Sequence, residues 1–313
     1  MPRAVQYESF GPPGVLDVFD VPEVHPKVGQ VRVAVKAAAL NPFDFKVRSG
    51  SVPGIPAIFP RGIGSDFAGV VDELPDDGAV YFDGAPVAVD DEVFGWGNST
   101  VREQLRLPGA NLARKPTEVS WALAASMSVP VHTAHFSLET LPVGAGDTVL
   151  LSAAAGAVGI IYAQIAVARG ARVIGTASRG NFALLESLGV IPTLYGAGLV
   201  DRIRALAPEG VTAVQDNFGR ETVEAGLELD VPASRICSIV DDAGIAELGI
   251  LGPGQHARSA ELLQRYVAMV ASGHLVLPIQ RVFPIGMVRE AFELLEGRHV
   301  SGKVVIALTP IDI

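Results

Sequence analysis

A single cysteine, Cys237, in 313 residues leaves no partner for an internal disulfide and no multi-cysteine zinc cluster. Aromatic residues make up 6% and charged residues 19% of the chain, against 49% hydrophobic ones, which excludes a disordered or fibrous polymer and suits a well-buried α/β enzyme. Basic side chains are the scarcer sign, 24 Lys and Arg against 34 Asp and Glu, for a formal net charge of −10. That balance argues against nucleic acid or an anionic membrane as partner, while leaving room for a local basic pocket. The opening residues MPRAVQYESFG lack the apolar core of a signal peptide and the Arg/Ser bias of a transit peptide, so a soluble cytoplasmic protein is expected. Residues 148–168 carry no charge over about the length of a membrane span. A glycine-bearing turn in their middle and the strand–helix alternation that follows exclude that reading.

What the chain does have is concentrated at 148–177, TVLLSAAAGAVGIIYAQIAVARGARVIGTA. The run 148–151, β-branched and aliphatic, predicts a buried parallel strand. A small-residue turn follows at 152–157, then an apolar helix from about Val158 to Ala168, a stop at Gly170 and a second strand at 172–175. Strand, glycine turn, helix and strand within about 30 residues form the βαβ unit that binds dinucleotides. Gly156 lets the backbone approach a pyrophosphate, Gly159 lets the helix lie close to the strand, and the helix N-terminus offers N–H groups and a partial positive charge. The G-x-G-x-x-G pattern is imperfect, with Ala154 at the first glycine position. The alternative is an ordinary buried α/β unit with a small-residue turn.

The flanking sequence predicts two domains. Short alternating stretches at 3–7, 30–38, 69–73 and 86–93, punctuated by Gly-Pro-Pro-Gly and Pro-Gly, predict a partly open antiparallel β-domain. Residues 72–91 hold seven acids and no Lys or Arg, and are expected to be a solvated surface excursion. From Ser120 a capped helix, a break at Pro130 and a second helix to about Thr140 are expected. Helices at 182–188, 199–207 and 221–229 then alternate with strands near 193–195, 213–216 and 235–239, which predicts a doubly wound parallel sheet. After a helix at 259–273, strands at 276–279 and 303–308 flank a helix at 287–297. Residues 1–119 and 276–313 are therefore assigned to one domain and 120–275 to a sheet domain inserted into it, with the cleft between them the expected ligand site.

Dinucleotide units that prefer NAD place an acid at the end of the second strand, about 20 residues past the glycines. Here that position reads Thr176-Ala177-Ser178-Arg179-Gly180-Asn181, with no acid. Ser178 offers a hydroxyl and Arg179 a planar cation suited to a phosphate, which favours NADPH, although an arginine there could also simply face solvent.

The ordered set of motifs resembles the zinc-independent quinone oxidoreductase branch of the medium-chain dehydrogenase/reductase superfamily. The resemblance rests on Ala-x-x-Gly-x-Val-Gly at 153–159, Asn-Pro-Phe-Asp-Phe-Lys-Val-Arg-Ser-Gly at 41–50, Gly-Ser-Asp-Phe-Ala-Gly-Val-Val at 64–71, Glu-Val-Phe-Gly at 92–95 and Gly-Lys-Val-Val at 302–305. It spans nearly the whole chain. It implies a Rossmann sheet inserted into a GroES-like, mostly antiparallel β-domain, NADPH between them, and hydride transfer to a small-molecule quinone or enone by a homodimer. It also implies that Asn41 and Thr133 face the nicotinamide end, that Ala155, Gly156, Ala157, Val158 and Gly159 form the phosphate turn, that Ser178 and Arg179 hold the 2′-phosphate, and that Tyr195 lies near the adenosine ribose.

Zinc-dependent relatives carry a cysteine where Asn41 stands and a His-Glu pair where Ser65-Asp66 stands, so no metal is expected. Several quinone oxidoreductases line the active site with a tyrosine where this chain has Val52, so a phenol proton donor is missing from that place. Lys46 and Asp44 remain as catalytic candidates. The Asp-Phe-Lys order resembles a plant-type enone reductase subgroup, whose lysine approaches the substrate carbonyl, while Asp44 could equally serve as an acceptor of backbone N–H bonds. His132 and Cys237 read as packed residues. An acyl-thioester enoyl reductase and a catalytically silent NADPH-binding sensor are the rival functions.

Overall fold

The computed structural model describes residues 1–254, 256–297 and 300–311. Thr148–Leu151, buried along its whole length, is the middle of a five-stranded parallel sheet. The spatial order is Ile191–Thr193, Arg172–Thr176, Thr148–Leu151, Ala213–Asp216, Ile236–Ser238. Successive strands step outward on one side of Thr148–Leu151 and then resume on its other side. Beside this strand lies the topological switch point where open α/β sheets bind ligands. Helices Ala157–Ala168, Phe182–Ser187, Leu199–Leu206 and Arg220–Glu228 make the crossovers that parallel strands require. The expected α/β alternation is present. A short helix at Asp242–Leu248 adds to it, and the strand expected near 193–195 ends at Thr193.

The second sheet runs Ile279–Pro284, Lys303–Ala307, Gln30–Leu40, Asp66–Glu73, Glu92–Trp96, Leu112–Arg114, with Gln104–Pro108 also paired to Gln30–Leu40. Only its first pair is parallel. A three-stranded sheet of Asp17–Asp20, Arg3–Tyr7 and Arg61–Gly62 completes this β-rich part. The chain divides into one unit of residues 1–129 and 258–313 and a second unit of residues 130–257, rather than at the expected 119 and 275. The later boundary shifts because helix Ala260–Ala271 belongs with the β-rich unit. Its Gln264 amide receives the Arg114 N–H at 2.8 Å and donates to the Arg114 carbonyl at 3.2 Å.

Three local expectations are corrected. Pro130 does not break a helix; it lies in the first turn of Ser128–Thr140, where its missing N–H costs nothing. The strand expected at 276–279 is Ile279–Pro284 instead, because parallel pairing with the C-terminal strand starts at Ile279 opposite Lys303. The strand expected at 86–93 is reduced to a bridge between Val80 and Pro86, and regular pairing runs over Glu92–Trp96. In the acidic stretch 72–91, Asp76, Asp77, Asp83 and Asp90 are exposed as expected, and several of the acids are engaged. Asp72 pairs with Arg32, Asp91 accepts the Tyr81 hydroxyl at 2.7 Å, and Asp83 pairs with an Arg114 guanidinium that lies over the Tyr81 ring.

The segment 41–50 contains a helix the sequence pattern did not reveal, Pro42–Arg48, with Pro at its first position. Arg48 is 1% exposed. Its guanidinium donates to the Gly11 carbonyl at 3.0 Å, pairs with Glu296 at 2.8 Å and stands over the Phe292 ring, so it pins this helix to Val288–Glu296. At the far end of the unit, Gly302 has φ +73 and leads directly into Lys303, whose N–H binds the Pro278 carbonyl. A Cβ on Gly302 would stand 2.0 Å from that carbonyl oxygen. Gly302→Ala should therefore destabilise the protein by about 3 kcal/mol through left-handed strain and overlap together, read as a lower urea midpoint.

Candidate functional site

The nucleotide turn follows from packing. Ala153 carries φ 45 and Gly156 is the N-cap of Ala157–Ala168, with no side chain capping the first-turn amides. Those N–H groups and the helix dipole are an anion site of the kind that holds pyrophosphate. Gly159 is required by the protein itself, since a Cβ there would lie 2.4 Å from the Ala153 oxygen. A Cβ added at Gly156 would find that same oxygen nearest, at 3.2 Å, and no other atom within 4 Å, so the constraint is milder. The alanine at 154 is explained by Gly175 on the neighbouring strand, whose Cβ would come within 2.6 Å of the Ala154 Cβ. One position gives up a methyl and the other carries it.

Asp216, which sequence reasoning missed, organises the strand ends around this turn. Its buried carboxylate accepts the Ser152 hydroxyl at 2.8 Å, the Ser238 hydroxyl at 2.6 Å, and the Phe218 and Gly219 N–H groups at 3.0 and 2.9 Å. Asn217 binds back to Ser152 through both its backbone N–H and its amide. Phe218 is thereby presented at 45% exposure and stacks with Tyr195, itself 48% exposed, at 6.5 Å between centroids. Large aromatic rings this exposed offer an apolar face to a flat ligand. Ser178 is half-buried and accepts from Asn181, while the guanidinium of the exposed Arg179 has no hydrogen bond or ion pair among the described residues. Ala155 is buried, and Ala157 and Val158 are half-buried in the first turn. The turn, the aromatic pair and the free guanidinium fit a dinucleotide.

In the β-rich unit the motif 41–50 and the motif 64–71 meet in a buried polar cluster. The Lys303 ammonium donates to Asn41 Oδ1 at 2.7 Å and lies 3.3 Å from Asp66 Oδ2. Asn41 Nδ2 donates to the same Asp66 oxygen at 3.0 Å, and Asp66 Oδ1 accepts the Val129 N–H at 2.9 Å. Asp66 so serves as a remote cap for the helix Ser128–Thr140, on which Thr133 sits half-buried one turn further along. Asp44 joins the cluster: Oδ2 accepts the Asn41 N–H at 2.8 Å and Oδ1 accepts the Ser65 hydroxyl at 3.2 Å. Burial, aided by the nearby Asp66 charge, pushes the Asp44 carboxyl up to about 7, against the opposing pull of the Asn41 N–H and Lys303. Burial likewise lowers the Lys303 ammonium below its ordinary value, against the raising effect of Asp66 and Asp44.

The cluster thus brings Asn41 and Asp44 together and leaves Lys46 outside it. Lys46 is half-buried, and its ammonium has no partner among the described residues. His132 is buried beside Phe136, and Cys237 is fully buried with its thiol pushed up to about 12 by burial, so both are packed groups. The roles of Lys303 and Ser65 carried no signal short of three-dimensional contact, since Lys303 and Asp66 are 237 positions apart.

Residues 27–117 match the family described as "Alcohol dehydrogenase GroES-like domain" and residues 190–306 the one described as "Zinc-binding dehydrogenase". The human quinone oxidoreductase is 26% identical over 98% of each chain. The chloroplastic NADPH-dependent alkenal/one oxidoreductase of Arabidopsis thaliana is 27% identical over 98% of this chain and 80% of its own. The structure of the quinone oxidoreductase from Coxiella burnetii superposes with a TM-score of 0.88 at 30% identity, covering 98% of this chain and 99% of that one. A Rossmann sheet carried within a GroES-like chain, with a nucleotide turn of this build, defines an oxidoreductase that uses a nicotinamide cofactor. The chain belongs to the medium-chain dehydrogenase/reductase superfamily, in its quinone oxidoreductase branch. No helix among the described residues is long and apolar enough to cross a membrane.

The displaced Asp44 carboxyl makes stability depend on pH. Its folded value of about 7 lies above the ordinary 3.8, so its contribution is complete below about pH 4 and is lost as pH rises through about 7. Asp44→Asn, which keeps an acceptor for Asn41 and a group facing Ser65 but cannot ionise, should gain stability on the wild type across that window, at up to about 1.4 kcal/mol per pH unit. Urea unfolding of both proteins at about pH 4.5 and about pH 8 measures this; an unchanging difference would refute it.

Proposed function

We propose that this protein is an NADPH-dependent reductase of quinones or α,β-unsaturated carbonyls that works without zinc. The observation that carries the cofactor choice is the end of the second strand: no acid is present there to bind a ribose 2′-hydroxyl, and Arg179 stands exposed with a guanidinium that no described residue engages. Ser178 and Arg179 would hold the 2′-phosphate by charge-assisted hydrogen bonds. The uncapped amides at the start of Ala157–Ala168 would hold the pyrophosphate, and the Tyr195–Phe218 pair would flank the adenine. The absence of zinc is supported by what fills the positions of the relatives' ligands. Asn41 and Asp66 already share the Lys303 ammonium, a cation in place of a cation.

When bound, NADPH supplies a hydride to the β-carbon of the enone or to the quinone ring. The protein's part is to orient the acceptor and to stabilise the negative charge that develops on its carbonyl oxygen. Lys46, half-buried and with no carboxylate to neutralise it among the described residues, is the group suited to that oxyanion.

Oxidation of NADPH in the presence of a panel of quinones and enones tests the activity directly. Arg179→Glu should weaken NADPH far more than NADH, by about 1.5–3 kcal/mol for a lost charge-assisted bond; equal losses in a binding titration would refute the assignment. Lys46→Ala should lower kcat for an enone by about 10²-fold with NADPH affinity nearly intact, and an unchanged kcat would remove Lys46 from the mechanism.

A further inference from the structure

Hydride addition leaves an enolate or a hydroquinone anion that must take up a proton, and residue 52, just past the 41–50 motif, is a valine with none to give. Tyr7 does not substitute. Its hydroxyl is fully buried, has no partner among the described residues, and is raised in pKa chiefly by that burial. The buried cluster holds a different proton.

We propose that Asp44 is the proton reservoir of the reduction and that the Ser65 hydroxyl relays its proton outward to the reduced substrate. This deepens the reading given under Proposed function and rests on it. The geometry selects both the atom and the direction. Asp44 is 3% exposed, and its two oxygens have unlike partners. Oδ2 faces the Asn41 N–H, a donor only, so a proton cannot reside between those two atoms. Oδ1 faces the Ser65 oxygen at 3.2 Å, which both donates and accepts. In the protonated acid the carboxyl proton is thus placed on Oδ1, facing Ser65, and reverses the bond that the carboxylate accepts from that hydroxyl. Ser65 is half-buried where Asp44 is sealed, which makes it the outlet of the cluster.

The surrounding charges suit this use. Asp66 on the neighbouring strand raises the Asp44 carboxyl, Lys303 from the C-terminal strand opposes it, and burial sets the level near neutrality. Tyr7, on the adjoining sheet, is held in its neutral form mainly by burial, and the Asp44 charge raises its pKa further. On Asp44's own helix, Arg48 is neutralised by Glu296 from Val288–Glu296, and Lys46 is the remaining cation. In the step itself, the Ser65 O–H bond breaks as its proton passes to the enolate carbon or oxygen. The Asp44 O–H bond breaks as its proton replaces the one Ser65 gave up. Asp44 is left as carboxylate and is reprotonated from water. No electrons move in this step, the two-electron reduction having been completed by the hydride.

Ser65→Ala, Ser65→Thr and Asp44→Asn are compared with the wild type for NADPH oxidation over a pH series in light and heavy water. In parallel, the Asp44 carboxyl is titrated by carbon-13 resonance in labelled protein. The wild type should lose kcat as pH rises through about 7 and show a solvent isotope effect. Ser65→Ala should lose about 10²-fold in kcat with KM and NADPH affinity unchanged, lose the isotope effect, and move the Asp44 titration upward. Ser65→Thr should restore most of the rate, and Asp44→Asn should abolish the pH limb. An unchanged kcat in Ser65→Ala, a loss that threonine does not repair, or an Asp44 resonance titrating in the ordinary carboxylate range would each overturn the relay while leaving the reductase reading in place. A wild type that oxidises NADPH with no acceptor of either class would remove that reading and the relay together.

Discussion

The β-rich unit is held in register by an ammonium group with almost no access to water. Lys303 is 3% exposed and Asp66 is fully buried, so these charges are met by each other, by Asn41 and, for Asp66, by the Val129 N–H in place of water. Moving such ions out of water costs several kcal/mol each, and their attraction in a low-dielectric interior returns that only when the geometry is good and the remaining lone pairs are satisfied. Here they are satisfied: Asp66 spends one oxygen on Asn41 and Lys303 and the other on the Val129 N–H. Such an arrangement adds little net stability compared with an apolar core, but it accepts only one alignment. The long strand Gln30–Leu40 that ends beside Asn41, the strand Asp66–Glu73 that begins at the aspartate, and Lys303–Ala307 that begins at the lysine must all be in register for it to close. Asp44, Ser65 and the remote cap on the helix Ser128–Thr140 are positioned as consequences of that closure.

The nucleotide-binding unit obeys a different constraint, the close approach of backbones. The glycine pattern of its turn is defective when read along the chain and complete when read across the sheet, because Gly175 leaves the space that Ala154 fills. The residue with the left-handed conformation is Ala153, one place earlier than the pattern's missing glycine, and it is held there by packing despite its Cβ. Asp216 then fixes the strand ends with four donors, which is how an exposed aromatic ring comes to be carried rigidly on a loop.

What was legible in the sequence follows from the range of the interactions involved. The central strand, its glycine-ended helix and the strand Ala213–Asp216 are set by local apolar runs and stop signals, and their positions could be read directly. The short helix Pro42–Arg48 has no apolar periodicity to announce it; it exists because Arg48 is clamped by Glu296 and Phe292 from a distant helix. Strand limits such as 276–279 failed because the partner, Lys303–Ala307, decides where pairing begins. At the site, the turn residues and Arg179 were visible as a motif with a missing acid. Asp216, Phe218, Ser65 and Lys303 were not, because each acquires its part only from residues brought to it by the fold.

The division of the chain also bears on the order in which it is made. Residues 130–257 are contiguous and can close their parallel sheet as soon as they emerge, whereas Asp66 is synthesised 237 positions ahead of the lysine that neutralises it. Throughout that interval the aspartate must stay hydrated or protonated, so the first unit waits as an incomplete sheet while the second matures. Arrival of the C-terminal strand is then the event that expels water from the cluster and commits both halves of the interrupted unit to each other.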